Sequence, residues 1–118
     1  MPVLLVWSDL IVPAAPQRAE IRLGGEVVGD LDVKVCSICR RAVLEQIRVD
    51  PGHRRHGVAR DALALMLDRW SGFSWSTTVL EPDAAEFWAR VFWPCPELLG
   101  NPQWCAHMAA AESVVVCE

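Results

Sequence analysis

The chain has no tyrosine, a single lysine and no long apolar run. A membrane-spanning helix needs about 20 consecutive apolar residues, and no stretch here reaches that length, so no membrane partner is expected. The apolar opening, Val3 to Val12, is broken by Ser8-Asp9 and has no cationic lead, so it does not read as a signal peptide. A basic excess is also missing. Eleven basic against 15 acidic residues give a net charge of −4, mixed along the sequence. Nucleic-acid surfaces usually carry a basic patch, so no nucleic-acid partner is expected. Five cysteines, an odd number without framework spacing, predict reduced thiols and a cytoplasmic setting. Repeats and low-complexity segments are absent. What remains is 118 residues, 53% of them apolar, enough for one domain over 1–118 with a true core.

The patterns predict strands at Val3 to Trp7, Ala19 to Leu23, Asp30 to Val35, Ala42 to Val49 and Phe73 to Leu80. Gly24-Gly25 marks a hairpin turn between the second and third. On the fourth strand, alternation assigns Val43, Glu45, Ile47 and Val49 to one face and Leu44, Gln46 and Arg48 to the other. A helix is predicted from about Gly57 to Trp70, with Ala59, Ala62, Leu63, Met66 and Trp70 on one stripe. A second helix should open at Pro82 and stop at Pro94. Asn101-Pro102 suggests a third, to about Ala111, and Ser113 to Cys117 reads as a last strand or a frayed end. The fold class is α/β (α+β), a mixed, mostly antiparallel sheet with helices on its faces.

Between the fourth strand and the first helix lies Glu45-Gln-Ile-Arg-Val-Asp-Pro-Gly-His-Arg-Arg-His-Gly-Val-Ala59. A strand that runs through a Gly- and Arg-rich turn into a helix start aims unpaired amides at one point, which suits a phosphate. Gly57 lets an anion approach the main chain, and Arg54, Arg55 and Arg60 add positive charge. No Gly-Lys-Ser/Thr follows, so a nucleotide P-loop is a poor match.

Within this stretch, Arg54-x-x-Gly57-x-Ala59 resembles the pyrophosphate loop of the GNAT N-acetyltransferase superfamily, Gln/Arg-x-x-Gly-x-Gly/Ala. The likeness covers about Ala19 to Trp93. It implies acetyl-CoA as co-substrate, with its diphosphate on Arg54, Arg55, His56, Gly57, Val58, Ala59 and Arg60. It also implies that Ile47, Arg48 and Val49 form the edge that polarises the thioester carbonyl and pairs with the pantetheine arm. The family's later pattern, Asn-x-x-Ala-x-x-x-Tyr-x-x-x-Gly-Phe, falls here on Glu81, Ala84, Trp88, Phe92 and Trp93. The Tyr that protonates the leaving thiolate is thus replaced by Trp88, whose bland reading is core packing. Cys95, Cys105 and His107 are acids by chemistry alone.

Glu45 is the candidate catalytic base, as the only charged residue on its predicted face. A carboxylate among apolar neighbours is a stronger base than one in water. The family's usual Glu aligns with Val43, two residues earlier. The bland reading pairs Glu45 with Arg41 or Arg48. No metal is assigned. Cys36-x-x-Cys39 and Cys105-x-His107 would offer zinc four ligands, but the flanks lack the Gly of a zinc knuckle and the halves are far apart. Isolated thiols packed among apolar residues are expected instead. His53 and His56 read as surface or phosphate contacts.

The family places two helices between its first two strands, and about a dozen residues cannot supply them. The acceptor side should therefore be open, completed by a partner, or matched to a large substrate. Exposed tryptophans would serve a homodimer contact. The expected activity is acetyl transfer from acetyl-CoA to an amine on a small molecule or protein, by direct attack. The alternative is an inactive CoA-binding or protein-interaction module.

Overall fold

Each strand of this chain pairs with the next one in sequence. In the computed structural model, which describes residues 2–8, 12–54, 57–78 and 80–116 (the last five as backbone only), β1 (Val3–Trp7), β2 (Gln17–Leu23), β3 (Glu26–Cys36), β4 (Arg41–Val49) and β5 (Ser74–Thr77) lie side by side in chain order. Each of the first four is antiparallel to its neighbour, and β5 runs parallel to β4. A parallel neighbour needs a crossover, and α1 (Val58–Arg69) supplies it.

One face of the sheet carries the larger core. Ile21, Leu31, Val33, Leu44 and Trp75 meet Val58, Ala62, Leu63 and Met66 of α1 there. The α1 stripe thus holds as predicted at Ala62, Leu63 and Met66. Two further helices complete the chain: α2 (Ala85–Arg90), entered through a 3-10 turn at Pro82–Ala84, and α3 (Ala106–Val116). On the opposite face, α3 packs Met108 and Ala111 against Val43, Cys36, Ala14 and Ala15.

The tryptophans do not form the exposed surface the sequence suggested. Trp7, Trp70, Trp75, Trp93 and Trp88 make a continuous row, with successive centroids 5.0, 6.1, 6.1 and 5.6 Å apart. Three of these contacts are edge-to-face, which suits the ring quadrupole, and Trp70–Trp75 is tilted at 56°. Trp75 lies at the centre of the row and is buried, and its carbonyl accepts the Trp93 indole N–H at 3.1 Å. Of the tryptophans, Trp104 alone stands among the exposed large apolar residues.

Among the strands, β3 opens earlier than expected, at Glu26, and β5 closes earlier, at Thr77; three helix boundaries also differ. The second helix ends at Arg90 because Val91 is extended, which turns Trp93 into the core instead of prolonging the helix to Pro94. The third helix starts at Ala106, not Asn101. Gly100 N–H donates to Thr77 Oγ1 at 2.7 Å and Gln103 N–H to Ser76 Oγ at 3.0 Å, which holds the preceding segment along β5. These bonds satisfy two buried hydroxyls. The same helix continues through Val116, where a strand or frayed end was expected, and Cys117 lies outside the described residues.

Candidate functional site

One inserted residue shapes the site. Asp32 pairs with Gln46 and Val33 with Leu44, so Glu45 is the extra residue of a β-bulge. A bulge kinks its strand, increases the twist and reverses the face of every later side chain. Pairing with β5 accordingly ends at Leu44 and Thr77. Thr78 closes the seam: its N–H donates to Leu44 O at 3.1 Å and its hydroxyl to Glu45 O at 3.0 Å. Past this point β4 and the chain after β5 separate around a cleft of about 630 Å³.

The main-chain polarity of the β4 edge follows from one bond. Asp50 N–H donates to Val28 O at 2.8 Å, so even-numbered residues from Gln46 to Asp50 turn their amides toward β3. The amides of Ile47 and Val49 therefore point away from β3, toward the cleft. Arg48 lines the cleft but turns its amide to β3, and its guanidinium pairs with Asp30 at 2.7 Å. Trp88, Glu81, Ala84 and Leu80 form the far wall. Phe92, aligned with the family's Gly, is exposed.

The basic loop continues the cleft. A 3-10 turn at Pro51–His53 follows β4, and Arg54 Nε donates to Val49 O at 3.0 Å, which fastens the loop to the strand end. Gly57 caps α1 with φ +78°, a conformation that disfavours side chains, and has none with which to cap the helix. The first intrahelical bond runs from Asp61 N–H to Gly57 O. The amides of Val58, Ala59 and Arg60 thus have no partner within the helix. They border a second cleft of about 740 Å³ that shares Val49, Arg54, Ala59, Asp83 and Phe87 with the first. Arg54, Arg60 and Arg90 meet Asp83 and Glu86 here, so its charge is mixed. His53 is turned to Glu26, 3.3 Å away. Arg55 and His56 lie outside the described residues.

Glu45 keeps company that strict alternation did not foresee. It shares the α3 face with Val43, but the bulge moves Ile47 and Val49 to the α1 face with Ala42 and Leu44. Nor is it alone among apolar groups. Buried Lys34 Nζ stands 3.5 Å from its Oε2, and exposed Trp104 donates its indole N–H to the same oxygen at 3.3 Å. Neither Arg41 nor Arg48 is the partner. These three residues, with Met108 and Ala109, line a small pocket of about 400 Å³. Lys34 and Trp104 escaped the sequence reading. The one available signal was a lone lysine on a strictly alternating strand, and its burial depends on a helix that begins only at Ala106.

Cys105 and His107 do not reach the cleft. They join Cys36 and Cys39 at the far end of β4, with all four ligating atoms within 4.8 Å of one another. This corrects the expectation of isolated thiols. The β3–β4 turn and the start of α3 meet because α3 packs on Cys36 and Val43. Local desolvation, with hydrogen bonds to Cys36 and Cys105, pushes the Cys39 thiol up to about 11. Burial also acts to raise Cys105, but hydrogen bonds from the Met108 amide, His107 and Cys36 outweigh it and bring that thiol to about 7.

No protein-family model matches the chain, and no curated protein matches it in sequence. Solved structures do. An acetyltransferase from Thermus thermophilus aligns over 63% of this chain and 51% of its own, at 24% identity and a TM-score of 0.55. Nourseothricin acetyltransferase aligns over 64% and 48%, at 26% identity and a TM-score of 0.53. The E. coli protein YhhK, assigned as an N-acetyl transferase and solved bound to coenzyme A, aligns over 75% and 85%, at 16% identity and a TM-score of 0.60. The chain spans about half the length of the first two. With five strands in this order, a parallel seam that opens past Leu44 and these matches, the chain has the GNAT acetyltransferase fold, in a short form.

Proposed function

We propose that the chain is an acetyl-CoA-dependent N-acyltransferase acting on an amine-bearing small molecule or protein. One observation carries this reading: the cleft beside the Ile47 and Val49 amides shares Val49, Arg54, Ala59, Asp83 and Phe87 with the cleft at the uncapped start of α1. The pantetheine arm lies along the β4 edge as an added strand would. The diphosphate sits on the amides of Val58, Ala59 and Arg60, beside Arg54 and Gly57. The coenzyme A bound to YhhK supports the choice of ligand.

Chemistry takes place where the seam opens. An Ile47 or Val49 amide polarises the thioester carbonyl. The acceptor amine enters from the α3 face, past Trp104, and attacks the carbonyl carbon. A C–N bond forms, the C–S bond breaks and coenzyme A leaves as its thiolate. Glu45 takes the proton released by the amine. Both of its contacts fall on Oε2, so Oε1 is the oxygen assigned to the proton. Trp88 stands where the family has its tyrosine, and an indole does not serve as an acid at neutral pH. A thiol is far more acidic than water, so coenzyme A can leave as the thiolate and take its proton from solvent.

Thiol release from acetyl-CoA across a panel of amines tests the reading. Turnover with at least one amine is the expected result. Saturable coenzyme A binding with no thiol release from any amine would instead describe a binding module.

A further inference from the structure

We propose that Cys36, Cys39, Cys105 and His107 bind one zinc ion that pins α3 to the β3–β4 turn. The reading stands apart from the transferase chemistry. His107 Nδ1 lies 3.4 Å from Cys36 Sγ, 3.4 Å from Cys39 Sγ and 3.9 Å from Cys105 Sγ. Zinc binds sulfur at about 2.3 Å and imidazole nitrogen at about 2.0–2.1 Å in tetrahedral sites. Ligand atoms around such an ion stand roughly 3.6–3.8 Å apart, a spacing that follows from those bond lengths. The three nitrogen–sulfur distances are therefore already close to edges of the required tetrahedron, and the sulfurs lie within 4.8 Å of one another.

The local backbone fits as well. Cys36-Ser-Ile-Cys39 forms a tight turn in which the Cys39 N–H donates to Cys36 Sγ at 3.4 Å, so the first sulfur already has an outer-shell donor. Cys105 immediately precedes α3, where the positive end of the helix favours a thiolate. Three sulfurs and one imidazole are a borderline-soft set, which selects zinc over magnesium or calcium. A complete set of four protein ligands marks a structural site, since a catalytic zinc keeps a position open.

Packing of apolar thiols does not account for the cluster. Only Cys36 is buried; Cys39 and His107 are exposed. An exposed thiol and an exposed imidazole contribute nothing to a core, yet both converge on the same point. The site lies beside Trp104, so the ion would also hold the wall against which Glu45 sits.

The test uses the untagged chain purified without chelator. Elemental analysis should find stoichiometric zinc, and a strong chelator should remove it and lower Tm by several degrees. Cobalt added to the chelated protein should give the thiolate charge-transfer band and the intense visible bands of a tetrahedral site. The double variant Cys39→Ser/His107→Ala replaces only exposed side chains, so it should fold and bind no zinc after desalting. Cys95→Ser should keep a full complement. A wild-type protein without zinc even after reconstitution would overturn the proposal. So would a double variant that retains zinc, or a Cys36–Cys39 disulfide in non-reduced protein that lacks metal.

Discussion

The left-handed Gly57 allows a paired experiment on the proposed phosphate cradle. Its φ is +78°, and Gly25, in the β2–β3 turn, has an almost equal φ of +84°. Alanine in this region costs roughly 1–2 kcal/mol wherever it is placed. For a domain of this size, that predicts a Tm lower by about 4–8 °C in each variant. The surroundings of the two residues differ. A Cβ on Gly25 meets nothing within 4 Å, whereas one on Gly57 stands 2.8 Å from Arg60 Nη2, at the helix start where the diphosphate is proposed to rest. Arg60 can swing aside, so the added contact costs little stability. The methyl still occupies the line of approach to the amides. Gly57→Ala should therefore weaken coenzyme A by at least tenfold, or about 1.4 kcal/mol, whereas Gly25→Ala should leave affinity unchanged. Titration calorimetry beside thermal melts separates the two effects. If coenzyme A binds Gly57→Ala as tightly as the parent, the diphosphate does not rest on these amides. Equal weakening by both variants would trace the loss to stability instead of contact.

Glu45→Gln should lower turnover by about a hundredfold or more with coenzyme A affinity intact, and unchanged turnover would remove Glu45 from the mechanism. Arg54→Gln should loosen the loop from Val49 O and weaken coenzyme A about tenfold, with a shallower salt dependence measured between low and high ionic strength. In the core, Trp75→Ala should cost about 3–5 kcal/mol by denaturant unfolding, because it removes the centre of the aromatic row. Phe92→Ser, on a side chain 76% exposed, should stay within about 0.5 kcal/mol.

What the sequence revealed was local. Strict alternation over Asp30 to Val35, Gly24-Gly25 at the hairpin and the α1 stripe all rest on short-range geometry, and all appear in the fold. The order of strand, turn and helix around Arg54 to Ala59 was legible for the same reason, since its parts are contiguous. The misread features depended on distant partners. The second helix stops early because Trp93 finds the Trp75 carbonyl, and the third starts late because two β5 hydroxyls hold the segment before it. Cys36-x-x-Cys39 and Cys105-x-His107 looked unrelated because β4, α1, β5 and α2 intervene, yet α3 folds back to unite them. A bulge leaves almost no trace in a run such as Val43-Leu-Glu-Gln-Ile-Arg-Val49, where either parity gives a plausible strand.

That single unpaired residue connects the two sides of the proposed reaction. Without it, Glu45 and Ile47 would share one face, as simple alternation requires, and β5 could continue its ladder along β4. With it, the β4 edge past Leu44 is released from β5, and its odd-numbered amides are available to an extended ligand. The Glu45 carboxylate meanwhile stays on the α3 face beside Lys34 and Trp104. A thioester laid on the edge would then lie between the two layers, with its coenzyme leading toward α1 and its carbonyl carbon open to the α3 side. An amine arriving from that side meets the carboxylate before it meets the carbonyl. The order suits the chemistry, because the nitrogen must lose a proton to be a nucleophile. With only nine residues between β1 and β2, too few for the two helices the family places there, the proposed acceptor wall falls to α3 and the segment that carries Trp104.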